Sequence, residues 1–181
     1  MSSERAGSGW RVAPADIERM IPFELLLDRI ADERSSDWIG VRRYLHAHPE
    51  PSGDEIRTTR FIADRLVALG IAPNIPERGV GVIADLKIGS PTADGPIIAI
   101  RADIDALRMH DRKSIEYASS CPGVAHACGH DAHTTVILAA AELLTTLAQR
   151  LPESDVPSAH LRFIFQAAEE TAQGANWMVD D

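Results

Sequence analysis

The chain has 181 residues, 45% of them hydrophobic, and sets 27 acidic against 18 basic side chains for a formal net charge of −9. That balance argues against a nucleic-acid or anionic-membrane surface, which needs clustered positive charge, and two cysteines cannot build the disulfide framework of a small secreted fold. No apolar run approaches the ~20 residues of a membrane span, and MSSERAGSGWRVAPADIER has no leader-like pattern, so the expected setting is cytoplasmic.

Residues 1–14 lack periodicity and read as a loose extension. Over 15–33, Ile17, Met20, Ile21, Leu25, Leu26 and Ile30 follow helical spacing, with Pro22 a kink or restart, so 1–34 is read as an extension and helix, in one piece or two. Ser35, Ser36 and Asp37 offer an N-cap to a helix reaching about Ala47, which Pro49 and Pro51 end. Asp54 opens an amphipathic helix with Ile56, Phe61, Ile62, Leu66 and Leu69 inward and Gly70 as its left-handed end. Val80 to Ile88 reads as a strand, the segment 89–95 as the turn of a hairpin, and Ile97–Ile100 as a strand buried on both faces. An irregular stretch over 106–129 precedes a helix from about Ala132 to Arg150. Leu161–Phe165 is an inner strand, and a short helix surrounds Ala175–Val179. This order predicts an α/β sandwich, with ligands beyond the carboxyl ends of the strands.

Polar residues gather at those ends. Three of the seven histidines fall in His126-Ala127-Cys128-Gly129-His130-Asp131-Ala132-His133. In an extended segment Cys128 and His130 project to one side, so a thiolate and an imidazole converge on one cation, with Gly129 letting the backbone come close. The alternative is a buried Cys128, an Asp131 that caps the next helix and a His133 in its exposed first turn; the cap reading is favoured for Asp131 and His133, and His126 stays undecided. Adjacent Glu169 and Glu170 repel unless a cation or shared proton relieves them, so one binds metal while the other takes a proton from water. The alternative is a solvated acidic turn. Asp103 and Asp105 end a strand, where a carboxylate orients a ligating histidine or pairs with Arg101 or Arg108. His46 and His48, at a helix C-terminus, suit the helix dipole. There is no P-loop, dinucleotide fingerprint, nucleophile elbow or zincin helix.

Four motifs then coincide in order and spacing: Leu45-His46-Ala47-His48-Pro49-Glu50 with Glu55 and Thr58; Ala102-Asp103-Ile104-Asp105-Ala106-Leu107; His126 to Thr135; and Phe165 to Glu170 with Gly174, Ala175 and Met178. Together they resemble the dinuclear-metal aminoacylase-like amidohydrolases, in the subgroup of hippurate, auxin-conjugate and N-acyl-L-amino acid hydrolases. The resemblance implies an α/β three-layer sandwich of the zinc-exopeptidase type, incomplete at the C-terminus, with residues 35–181 the first part of the catalytic domain. It assigns Cys128, His130 and Glu170 to two divalent metal ions (zinc or manganese, or cobalt or nickel), Glu169 to general base and then acid, and Asp105 to a supporting carboxylate. The substrates it implies are N-acyl or N-aroyl amino acids, with water added across the amide as the metals polarise the carbonyl. A homodimer or a complementing C-terminal half are the macromolecular partners it admits. Arg108, Met109 and Ala167 depart from the family pattern, and the lid and two further histidine ligands are expected from sequence beyond Asp181. On that count the chain alone is expected to be inactive, a partial enzyme or an idle remnant. A cysteine hydrolase using Cys128 is the third reading, with His130 poorly placed as its base.

Overall fold

The computed structural model describes residues 23–180, so the expectations for 1–22, the kink at Pro22 among them, lie outside the described residues. Helix α1 runs unbroken from Phe23 to Ala47, through the 34/35 boundary. Ser35, expected to cap a second helix, instead donates its hydroxyl back to the Asp32 carbonyl at 3.2 Å. Asp37 is held by Arg34 at 3.3 Å and by Arg65 at 3.1 Å. With no proline between 23 and 47, nothing in the backbone forces a break there.

Helix α2 (Ile56–Ala68) places Ile62 and Leu66 at 0% exposure, each contributing about 1.5–3 kcal/mol by burial. Ile56, expected to face inward, begins the helix and is 63% exposed. Gly70 has the left-handed φ of +77° that ends it.

Strands β1 (Pro73–Asn74), β2 (Val82–Ile88), β3 (Ile97–Asp103) and β4 (Ala159–Gln166) form one sheet in the order β1-β2-β4-β3. The expected hairpin of β2 and β3 is not formed: β4 lies between them, antiparallel to β2 and parallel to β3. A parallel pair needs a crossover, and helix α3 (His130–Arg150) with the 106–129 segment provides it. Leu161, Phe163 and Phe165 of β4 face Leu86, Ala84 and Val82 of β2, and this face joins Ile62, Leu66, Ile137, Leu138 and Ala141 in the main core. β3 is correspondingly a sheet edge among the described residues; Ile97 and Ile98 are 45% and 55% exposed rather than buried on both faces. A second small core joins Leu26 and Ile30 of α1 to Leu147 of α3, and Trp38 donates to Glu142 at 2.7 Å across the same contact. Helix α4 (Gly174–Asp180) follows the loop after β4. No helix among the described residues is long and apolar enough to cross a membrane.

Candidate metal centre

The carboxyl ends of β3 and β4 and the first turn of α3 meet at one place. α3 starts at His130, two residues before the expected Ala132, so His130 and Asp131 lie inside its first turn. Gly129 is the N-cap residue with φ +89° and ψ +17°, and no side chain caps the helix. Cys128 and His130 are therefore brought together across a left-handed turn rather than along an extended segment. A Cβ on Gly129 would meet nothing within 4 Å, so glycine is needed for its φ and not for close approach.

Around that turn the ligand atoms of Cys128, His130 and Glu170 all lie within 4.8 Å of one another. The His130 Nε2 atom is 3.9 Å from Glu170 Oε1 and 3.9 Å from Glu169 Oε2. Glu170 belongs to the donor cluster, while the Glu169 side chain, 38% exposed, stands beside it. Both sit in the turn after β4, and that turn is pinned from below: Glu55, 0% exposed, accepts the Ala168 N–H at 2.8 Å. Burial pushes the Glu55 carboxyl above its ordinary range, against the backbone N–H groups that bond it. Ala168 takes a φ of +48°, a costly conformation for a residue with a Cβ. Gly174 closes the same turn: a Cβ there would overlap the Ala167 carbonyl oxygen.

Asp105 lies behind the cluster at 1% exposure. It accepts hydrogen bonds from Ser52 Oγ at 2.7 Å, His130 Nδ1 at 3.0 Å and the Glu170 N–H at 3.0 Å. Burial works against its charged form, but these three donors outweigh it and hold the carboxyl below its ordinary range. In return Asp105 raises the His130 imidazole, whose own burial pulls the other way. Engaging Nδ1 leaves Nε2 as the nitrogen free to bind a cation. Neither Arg101 nor Arg108 pairs with Asp105; Arg101 reaches Asp103 and Arg108 reaches Asp54.

The donor set suits a divalent cation. Cys128 is exposed, and its hydrogen bond to Glu170, then its burial, then the negative charges of Glu170, Glu169 and Asp103 push its thiol up. A thiol held among carboxylates is a poor nucleophile unaided, whereas a cation would neutralise the carboxylates and favour the thiolate together. Thiolate, imidazole and carboxylate donors together match zinc and its neighbours.

Asp131 does not cap α3: its buried carboxylate accepts His46 Nδ1 at 2.6 Å and Arg42 Nε at 3.0 Å, tying α3 to α1. His46 is 1% exposed and enclosed by Asp131 and by Asp111 at 3.6 Å, so it serves this tie rather than the helix dipole. His48 does sit on the helix end, donating Nδ1 to the Tyr44 carbonyl at 2.8 Å. His126, undecided from sequence, is 5% exposed with neither ring nitrogen hydrogen-bonded, and burial holds it neutral, down to about 4. His133 is exposed, as expected, but its ring lies 5.5 Å from that of His130. Ser52 escaped the sequence reading; its one signal was its place between Pro51 and Gly53, a turn opposite the strand end.

Residues 99–181 match Peptidase family M20/M25/M40. The chain is 41% identical over 143 residues to N-acetyl-L-cysteine deacetylase of Bacillus subtilis, covering 79% of this chain and 32% of that protein. It is 39% identical over 148 residues to N-acyl-L-amino acid amidohydrolase of Geobacillus stearothermophilus, covering 82% of this chain and 38% of that one. The crystal structure of Bacillus subtilis YXEP, described as a dinuclear metal binding peptidase from the M20 family, superposes with a TM-score of 0.69 at 40% identity over 87% of this chain and 39% of its own. The chain thus spans about a third of the length of the curated relatives it matches. Agreement of sequence and fold over most of the described residues places the chain in peptidase family M20/M25/M40.

Proposed function

We propose that this chain supplies the thiolate, imidazole and first carboxylate ligands of the two-metal centre of an amidohydrolase that releases amino acids from their N-acyl or N-aroyl derivatives. The observation that carries this reading is the convergence of Cys128, His130 and Glu170 within 4.8 Å, with Asp105 fixing the His130 ring from behind. The names of the B. subtilis and G. stearothermophilus relatives support the substrate class, an acyl group on an amino-acid nitrogen.

Divalent cations bound there would polarise an amide carbonyl and make water more acidic. The chain's own residues perform the rest. Glu169, next to the cluster but outside it, takes a proton from the attacking water and returns it to the departing amine. Asp105 keeps His130 in the Nδ1–H tautomer. The free state of both cysteines among the described residues fits a reducing compartment, as the cytoplasm is.

The test is elemental analysis of the purified 181-residue chain and of its Cys128→Ala, Glu170→Ala double variant, with hydrolysis of N-acetyl and N-benzoyl amino acids followed alongside. Metal bound by the wild type and lost from the double variant supports the ligand assignment. Turnover that the Glu169→Gln variant abolishes while metal is retained supports the catalytic one. Metal without turnover supports the second reading, a catalytically inactive remnant acting at most as a binding protein; no metal in a folded sample overturns the ligand assignment.

A further inference from the structure

His130 also belongs to a second group of donors. The ligand atoms of Asp103, His130 and His133 lie within 4.8 Å of one another. Asp103 ends β3 at 8% exposure, and its Oδ1 has no hydrogen-bond partner. Its competitor is Arg101, 3.4 Å from that oxygen, with a side chain 50% exposed that also donates to Gln166 Oε1 at 2.8 Å. His133 follows His130 by three residues, on the same face of α3, with ring centroids 5.5 Å apart. The two histidines come from a helix and the aspartate from a strand, elements whose positions the core fixes independently of any ion.

We propose that Asp103, His130 and His133 form a second divalent-cation position, alternative to the one built on Cys128 and Glu170. The two share His130, whose Nδ1 is committed to Asp105. One free imidazole nitrogen serves one ion at a time, so the ion at His130 has two seats and not two neighbours. The seats differ in chemistry: the first has a soft thiolate, the second only nitrogen and oxygen, so ions harder than zinc settle further toward the second. Nothing in the resemblance described above assigns Asp103 or His133 to metal. The inference shares His130 with the proposed function but does not depend on Cys128 or on catalysis.

Cobalt(II) binding to the 181-residue chain tests it, read by absorption and by equilibrium dialysis. The wild type is expected to show the near-ultraviolet charge-transfer band of a cobalt thiolate. Cys128→Ala should lose that band yet keep one cobalt per chain, and adding His133→Ala to it should weaken the remaining binding at least about tenfold, the least that loss of a mere supporting partner costs. His133 is exposed, so its removal leaves the fold intact, which circular dichroism checks. Asp103→Asn in the same background should act in the same direction. The proposal is overturned if Cys128→Ala binds no cobalt, or binds it equally well with and without His133. A wild type that binds cobalt without the thiolate band would sink the ligand set of the proposed function and leave this second seat standing.

Discussion

Gly129 and Asp105 set the geometry of the candidate centre by different means. At φ +89° a residue with a Cβ carries a penalty of about 1–2 kcal/mol, and no neighbour crowds the site to add to it. Gly129→Ala is therefore expected to lower stability by that amount in urea denaturation, and Gly129→Asn by less, because asparagine tolerates the left-handed region. Equal losses from the two would show that contacts rather than backbone conformation matter there. Asp105 acts through hydrogen bonds to Ser52, His130 and the Glu170 backbone. Asp105→Asn cannot enforce the Nδ1–H tautomer as a carboxylate does, and metal affinity should fall about 10- to 100-fold. Competition against a chromophoric chelator measures it, and an unchanged affinity would remove Asp105 from its positioning role. Here the sequence was legible as a set of residue types: a cysteine, a histidine and a glutamate close to an aspartate at a strand end. It did not show that Asp131, two residues from Gly129, would turn away to His46 and Arg42. A helix-capping aspartate and an aspartate bonded to another helix look alike in sequence.

At the scale of elements, β2 and β4 are joined on the face away from the helices by a cross-strand pair. Arg162 meets Asp85 at 2.7 and 2.8 Å, with His160 3.3 Å from the same carboxylate. The Arg162 hydrogen bonds hold the Asp85 carboxyl below its ordinary range despite partial burial. A depressed carboxyl stabilises the fold in full above its unfolded value, and the contribution disappears as pH falls through the lower folded value. Because both side chains are more than a third exposed or close to it (35% and 41%), the pair is worth no more than about 1 kcal/mol. Asp85→Asn should thus lower the urea midpoint slightly at pH 7, and the difference from wild type should shrink below about pH 4, where the free carboxyl titrates. A gap that widens on acidification would contradict the pairing. In helix α1 the serines and aspartate suggested a cap, but Arg65 from α2 and Glu142 from α3 supply partners for Asp37 and Trp38 in mid-helix.

For the molecule as a whole, sheet order decides what is buried. Placing β4 between β2 and β3 leaves β3 as an edge among the described residues, with Ile97 and Ile98 at 45% and 55% exposure. An apolar edge strand invites pairing with another chain, and a lysine on it opposes that. The chain is expected to self-associate as concentration rises, and Ile98→Lys to reduce this in sedimentation velocity with the metal content unchanged. Association insensitive to Ile98→Lys would move the contact elsewhere.

The sequence by itself determined which core segments are helix and which are strand, though not that α1 runs on through 34/35, because apolar periodicity and β-branched runs are local properties. It also determined the chemical types of the candidate ligands, because thiolate, imidazole and carboxylate bring their affinities with them. Only the tertiary structure decided which strands pair, since β2 and β4 are separated by the whole α3 crossover and no local signal ranks one partner over another. The same holds for the second donor group, in which Asp103 and His133 are thirty residues apart in the chain and meet only because β3 and α3 are packed against one core.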